Sequence, residues 1–98
     1  MAYSVRITRI GYTGAQAVYE WQSTNGPSGH VALDTRTATF RPADASGTPL
    51  GAMSFRRGDE DVSNPEVGAV NDFLTVVSGI IKRWKDAEPP ETAHLYFG

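Results

Sequence analysis

The chain has 98 residues, of which 40% are apolar and 20% charged, with two histidines, no cysteine and a formal net charge of −2. This length supports a single domain, 1–98, around one modest core, and the composition is that of a globular protein, not of a disordered tail. The lack of cysteine excludes disulfides, thiolate nucleophiles and cysteine-bound zinc, the acidic balance argues against a nucleic-acid binder built on phosphate contacts, and no apolar run is long enough to span a bilayer.

From Tyr3 to Ile10, the apolar Tyr3, Val5 and Ile7 alternate with Ser4, Arg6 and Thr8. A period of two is that of a strand with one face in water. GYTG at 11–14 supplies a turn, and QAVYEWQ at 16–22 sets Ala17, Tyr19 and Trp21 against Val18, Glu20 and Gln22 as a second strand. STNGPSG at 23–29 gathers residues that accept positive φ with a proline that cannot donate to a ladder, so the chain reverses again.

HVALD, with Val31 and Leu33 inward, the turn DTRT and the returning ATFRP predict strands three and four. PADASGTPLG at 42–51 reads as a loop, and AMSFR as a short fifth strand with Met53 and Phe55 inward. Parallel neighbours need crossovers of a dozen or more residues, so strands this closely spaced predict an antiparallel meander.

SFRRGDEDVSNPE at 54–66 contains Arg57-Gly58-Asp59, a tripeptide known from cell adhesion. Gly and Asp are ordinary turn residues, and the segment is read as the connection to a helix. Its start is marked by Ser63 and Glu66 as a capping box, or by Asn64 as cap with Pro65 in the first turn. Asp59, Glu60 and Asp61 then precede a helix N-terminus, where negative charge is favoured. The helix is expected over about 64–87, stopped by Pro89 and Pro90.

On a helical wheel Val67, Val70, Leu74, Val77, Ile81 and Trp84 form a seam expected to dock on Val5, Ile7, Tyr19, Trp21, Leu33 and Phe55. Ala69, Phe73, Val76 and Ile80 widen the apolar arc to roughly 160°. Phe73, Val76 and Ile80 are therefore the candidate interface of a homodimer, with a sheet curled around the helix as the other way to cover them. TAHLYFG closes the chain as a sixth strand with Ala93, Leu95 and Phe97 inward. The predicted fold is α+β, a twisted antiparallel sheet of five to six strands in the order β-β-β-β-β-α-β with one long helix on one face.

Catalytic motifs are sparse. There is no G-x-S-x-G elbow and no phosphate loop, DEDVSNPE lacks calcium-loop spacing, and HVA and HLY stand where two-histidine phosphoesterases carry HxT. Metal binding by His30, Asp34 and His94 is chemically feasible, but ligands from separate strands have no diagnostic spacing. No metal or cofactor is expected. One enzymatic alternative stands: a small ribonuclease or other hydrolase in which His30 and His94 exchange protons, Asp34 orients an imidazole and Arg56 holds an anion.

By strand parity the wet face of the sheet presents Arg6, Thr8, Val18, Glu20, Gln22, His30, Asp34, Arg41, Arg56, His94 and Tyr96. Mixed charge, arginine and an exposed aromatic suit a protein-contacting surface. Arg6, Glu20, His30, Asp34, Arg41, Arg56, His94 and Tyr96 are the candidate binding residues. The first expectation is thus a non-enzymatic protein-protein interaction module, an adaptor, regulator or neutralising partner. Without a signal-peptide pattern in MAYSVRITRI it is expected in the cytoplasm, and arginine in seven of nine basic positions suggests a GC-rich bacterial source.

Overall fold

The alternation becomes four antiparallel strands in the computed structural model, which describes residues 2–97. They are β1 (Tyr3–Tyr12), β2 (Gln16–Ser23), β3 (Ser28–Asp34) and β4 (Thr39–Ala43), followed by β5 (Phe55–Arg56), α1 (Val70–Arg83) and β6 (Thr92–Phe97). The strands form one sheet in the order β5-β4-β3-β2-β1-β6, and every pairing is antiparallel. The sheet curls into a half-barrel with α1 in its hollow. No helix among the described residues is long and apolar enough to cross a membrane.

β1 runs two residues further than its alternation suggests, because a bulge between Arg9 and Gly11 resets its register against β2. Ile10 is the extra residue and stands 48% exposed. The turn of the first hairpin therefore shortens to 13–15, closed by the Thr13 amide donating to the Gln16 carbonyl at 2.9 Å. A bulge increases local twist, which suits a sheet that must curl.

The helix starts later and ends earlier than the caps suggest. Asn64 has φ +52° and Gly68 φ +93°, and left-handed residues at these two places interrupt any right-handed helix before Ala69. The predicted capping residues bind elsewhere. Ser63 exchanges backbone hydrogen bonds with Ser54 at 2.8 and 3.0 Å, and the Asn64 side-chain amide donates to the Ala52 carbonyl. Val67 is fully exposed outside the helix, and the acids at 59–61 lie well ahead of Val70. At the other end Trp84 is extended, with ψ 92°, while its amide still donates to the Ile81 carbonyl.

α1 is also rotated from the expected seam. Phe73, Val76, Val77 and Ile80 are at most 3% exposed and belong to the core with Val5, Ile7, Tyr19, Leu33 and Phe40. Leu74 and Ile81 pack against that core only in part. The curled sheet covers the broad arc within one chain, so Phe73, Val76 and Ile80 are core residues, not a strip left for a second copy. Gly79 is what lets α1 settle so close: a Cβ there would stand 2.8 Å from Leu95 Cδ1 and 3.2 Å from Ile7 Cδ1.

The hollow is lined at its β3–β4 side by the long β4–β5 and β5–α1 connections, which insert Met53 and Val62 into the core. The Arg57-Gly58-Asp59 stretch is a turn within the second of these. The Asp59 amide donates to the Arg56 carbonyl at 2.9 Å, and the Arg57 guanidinium lies 5.1 Å from the centroid of the Trp84 ring. It is a connection, as its composition suggests.

On the opposite, convex face, part of the β4–β5 connection folds back over the sheet. Asp44 accepts hydrogen bonds from the Ser46 hydroxyl and from the Ser46 and Thr48 amides, which together hold its carboxyl below the ordinary carboxylate value. A depressed carboxyl contributes stability above its unfolded pKa, and the contribution is lost as pH falls through the folded one. Gly47, with φ +89°, comes so close to β2 that a Cβ would stand 2.8 Å from Val18 Cγ2. Val18, expected on the wet face, is therefore 8% exposed. Gly47→Ala is expected to cost about 1 to 2 kcal/mol from left-handed strain alone, measured by urea unfolding.

Candidate functional site

The convex face carries the predicted binding residues, and the strand register divides them. On β1 and β6, Arg6 is paired with His94, and Ser4 with Tyr96. The His94 and Tyr96 rings stack with centroids 4.4 Å apart, and the Tyr96 hydroxyl is 3.1 Å from His94 Nδ1. Tyr96 is 76% exposed, and Arg6 stands in water beside Gln22 on the other flank. These three side chains form one continuous patch at the β6 side.

On β2 and β3, Glu20 is paired with His30, with Glu20 Oε2 3.6 Å from His30 Nε2. An exposed pair of this kind contributes little to stability. Asp34 and Arg41 meet at a third place, around a shallow depression of about 300 Å³ that Gln16, Thr39 and Pro49 also line. Asp34 Oδ1 accepts the amides of Arg36 and Thr37 and so belongs to the β3–β4 turn. Arg56 lies beyond this depression on β5, paired with Thr39 at its border, and its amide donates to Asp59 Oδ2.

The two histidines do not meet. β1 and β2 lie between β6 and β3, so three strand spacings, roughly 14 Å, separate His94 from His30. One phosphate cannot bridge that distance to two imidazoles. Asp34 is four residues along β3 from His30 and occupied by its turn, while Glu20, not Asp34, faces His30. Among the described residues no group of three or more His, Asp or Glu side chains is close enough to hold a metal ion.

Two features have no signal in the alternation. The first is a pocket of about 290 Å³ between the start of α1 and β3, lined mostly by apolar residues that include Trp21, Met53 and Phe73. Its floor exists because Gly29 leaves room for the Trp21 ring, which a Cβ would approach to 3.1 Å. The second is a polar clamp inside the half-barrel, past the end of α1. There Arg9 and Tyr19, paired across β1 and β2, reach the α1–β6 connection: Arg9 Nη1 donates to the Pro89 carbonyl at 2.8 Å and the Tyr19 hydroxyl to that of Pro90 at 2.6 Å. Burial pushes the Tyr19 phenol well above its ordinary range, against the opposing pull of Arg9, so it remains a donor. Parity placed Tyr19 inward but could not show what its hydroxyl binds.

The fold and site thus define a single-helix α+β half-barrel whose outer face carries a cationic-aromatic patch. Comparison with family models, with curated proteins and with solved structures finds no match to this chain.

Proposed function

We propose that this chain is a non-enzymatic protein-protein interaction module of the cytoplasm that engages its partner through the β1–β6 side of the convex face. The observation that carries this reading is the patch of Arg6, His94 and Tyr96. A cation without an ion pair among the described residues stands beside an aromatic that is 76% exposed, on neighbouring strands of the sheet. Arginine and tyrosine are the side chains that most often anchor protein interfaces, because each offers a large contact area with directed hydrogen bonding. Glu20 and His30 flank the patch and suit a polar rim, where contacts remain wet and contribute little individually. Asp34, Arg41 and Arg56 lie farther along the sheet and are assigned no part in the main contact.

The test begins with a partner captured from the native host and then purified, so that binding is measured between two defined components. Arg6→Glu combined with Tyr96→Ala is expected to weaken binding at least about 100-fold, the equivalent of about 3 kcal/mol, while far-UV circular dichroism and thermal unfolding stay close to wild type. Binding unchanged in the folded double variant would remove the patch from the interface. A ribonuclease or hydrolase activity of the pure chain that disappears in folded His30→Ala, His94→Ala protein would replace the module by an enzyme.

A further inference from the structure

β6 is an edge strand, paired with β1 on one side only. The Arg9 amide donates to the Glu91 carbonyl at 2.8 Å, which makes residues 9 and 91 a hydrogen-bonded pair. Antiparallel pairs alternate, and the register continues through Ile7 with Ala93 and Val5 with Leu95. The amides and carbonyls of Ala93 and Leu95 therefore face β1, and those of Thr92, His94 and Tyr96 face outward. β5, at the other edge, has only two residues. Nothing within β6 blunts its edge, since TAHLYF contains no proline, lysine, carboxylate or bulge.

Beside this edge runs a groove of about 530 Å³ between β6 and α1, lined on the helix by Asn71, Leu74, Thr75, Ser78, Gly79 and Lys82. We infer that a second copy of this chain fills it, with β6 pairing antiparallel to β6 of the other copy about a two-fold axis at His94. In that register each His94 exchanges both backbone hydrogen bonds with its counterpart, and Thr92 pairs with Tyr96, so all the outward groups of both strands are satisfied. On the concave side, Leu95 of each copy comes to lie beside Ala93 of the other.

The helix wall is compatible with the same axis. α1 and its symmetry mate run antiparallel, and Gly79, which approaches Leu95 and Ile7 most closely, lies near the level of the axis. The groove-lining helix residues around that level are small, Thr75, Ser78 and Gly79, and their one charge, Lys82, lies off the axis, so it does not face its own counterpart. Strand and helix have matching lengths, each about 20 Å. A contact that long and two layers deep buries on the order of 400 Å² per copy, below the range of stable specific interfaces and in that of transient ones. The dimer is accordingly weak, and it joins the two convex patches across the axis.

Sedimentation equilibrium of the purified chain, from low to several hundred micromolar, tests this without any other partner, so its failure and that of the proposed binding surface are separable. A monomer-dimer equilibrium is expected. His94→Pro removes an amide that β1 does not use, so the variant is expected to stay folded and to dimerise at least about ten-fold more weakly. Ser78→Arg, on the exposed side of α1, is expected to do the same and decides the matter if the proline variant does not fold. A wild-type chain that stays monomeric throughout overturns the inference, even if an extended peptide is found on that edge. So does a dimer that persists undiminished in a folded variant of either kind.

Discussion

Phe73→Ala is expected to destabilise the fold by about 3 to 5 kcal/mol, and Leu74→Ala, one residue on, by only about 1 to 2. Phe73 is 3% exposed, in the core between helix and sheet, whereas Leu74 looks toward the groove beside β6 and is only partly covered. Truncating Phe73 removes buried apolar surface and leaves a cavity that a curled sheet cannot fully collapse. Small domains are stable by about 5 to 15 kcal/mol, so this single change removes a large fraction of the total. Urea unfolding of the two variants under one set of conditions gives the comparison. A larger loss at Leu74 than at Phe73 would mean that α1 docks by the face with Leu74 and Ile81 at its centre.

Arg9→Met is expected to cost about 1.5 to 3 kcal/mol, and Tyr19→Phe about 1. Methionine keeps an apolar stem of similar length but leaves the Pro89 carbonyl without its charged donor; phenylalanine leaves the Pro90 carbonyl without its neutral hydroxyl donor. Glu88 and Glu91 lie 3.7 Å from the guanidinium but are mostly solvated, so most of the Arg9 effect comes from the carbonyl and little from these pairs. The loss in Arg9→Met should therefore change little between low and high salt. Because Arg9 and Tyr19 are cross-strand neighbours serving one segment, the double variant should not equal the sum. Tyr19 adds a pH signature: its phenol is raised, so stability falls as pH climbs past the ordinary value of about 10, where only the unfolded chain ionises readily. Tyr19→Phe should flatten that alkaline decline in thermal unfolding. An Arg9→Met protein as stable as wild type would show that the α1–β6 connection is held by its apolar contacts alone.

The strands were legible because one face of the sheet is packed and the other wet, which imprints a period of two on β1, β2, β3 and β6. The helix face was less so. Ten apolar residues spread over nearly half the wheel, and periodicity cannot say whether Leu74 or Phe73 lies at the centre when both are apolar. The helix start was misplaced because Ser63, Asn64 and Glu66 satisfy the local rules for a cap, while the left-handed backbone at Asn64 and the tertiary pairing of Ser63 with Ser54 override them. At the site, parity identified the side chains on the wet face but not their neighbours across strands. That depends on strand order, and the placing of β6 beside β1 separates His94 from His30 while joining it to Arg6. Val18 was hidden for a similar reason: nothing in the alternation of β2 records that a loop from the far side of the chain lies over it.

The position of β6 also bears on the time course of folding. β1 to β4 are joined by short turns, so each new strand finds its neighbour after closing a small loop, at a small entropic cost. β6 must find β1 from the opposite end of the sequence, after the long connections and α1 have been traversed. Contacts of such high sequence separation slow folding, because the closure entropy is spent before the contact returns anything. The last strand thus acts as a latch on the half-barrel. Its hydrogen bonds and the Tyr3–Phe97 stack at 4.8 Å join the two ends of the described chain.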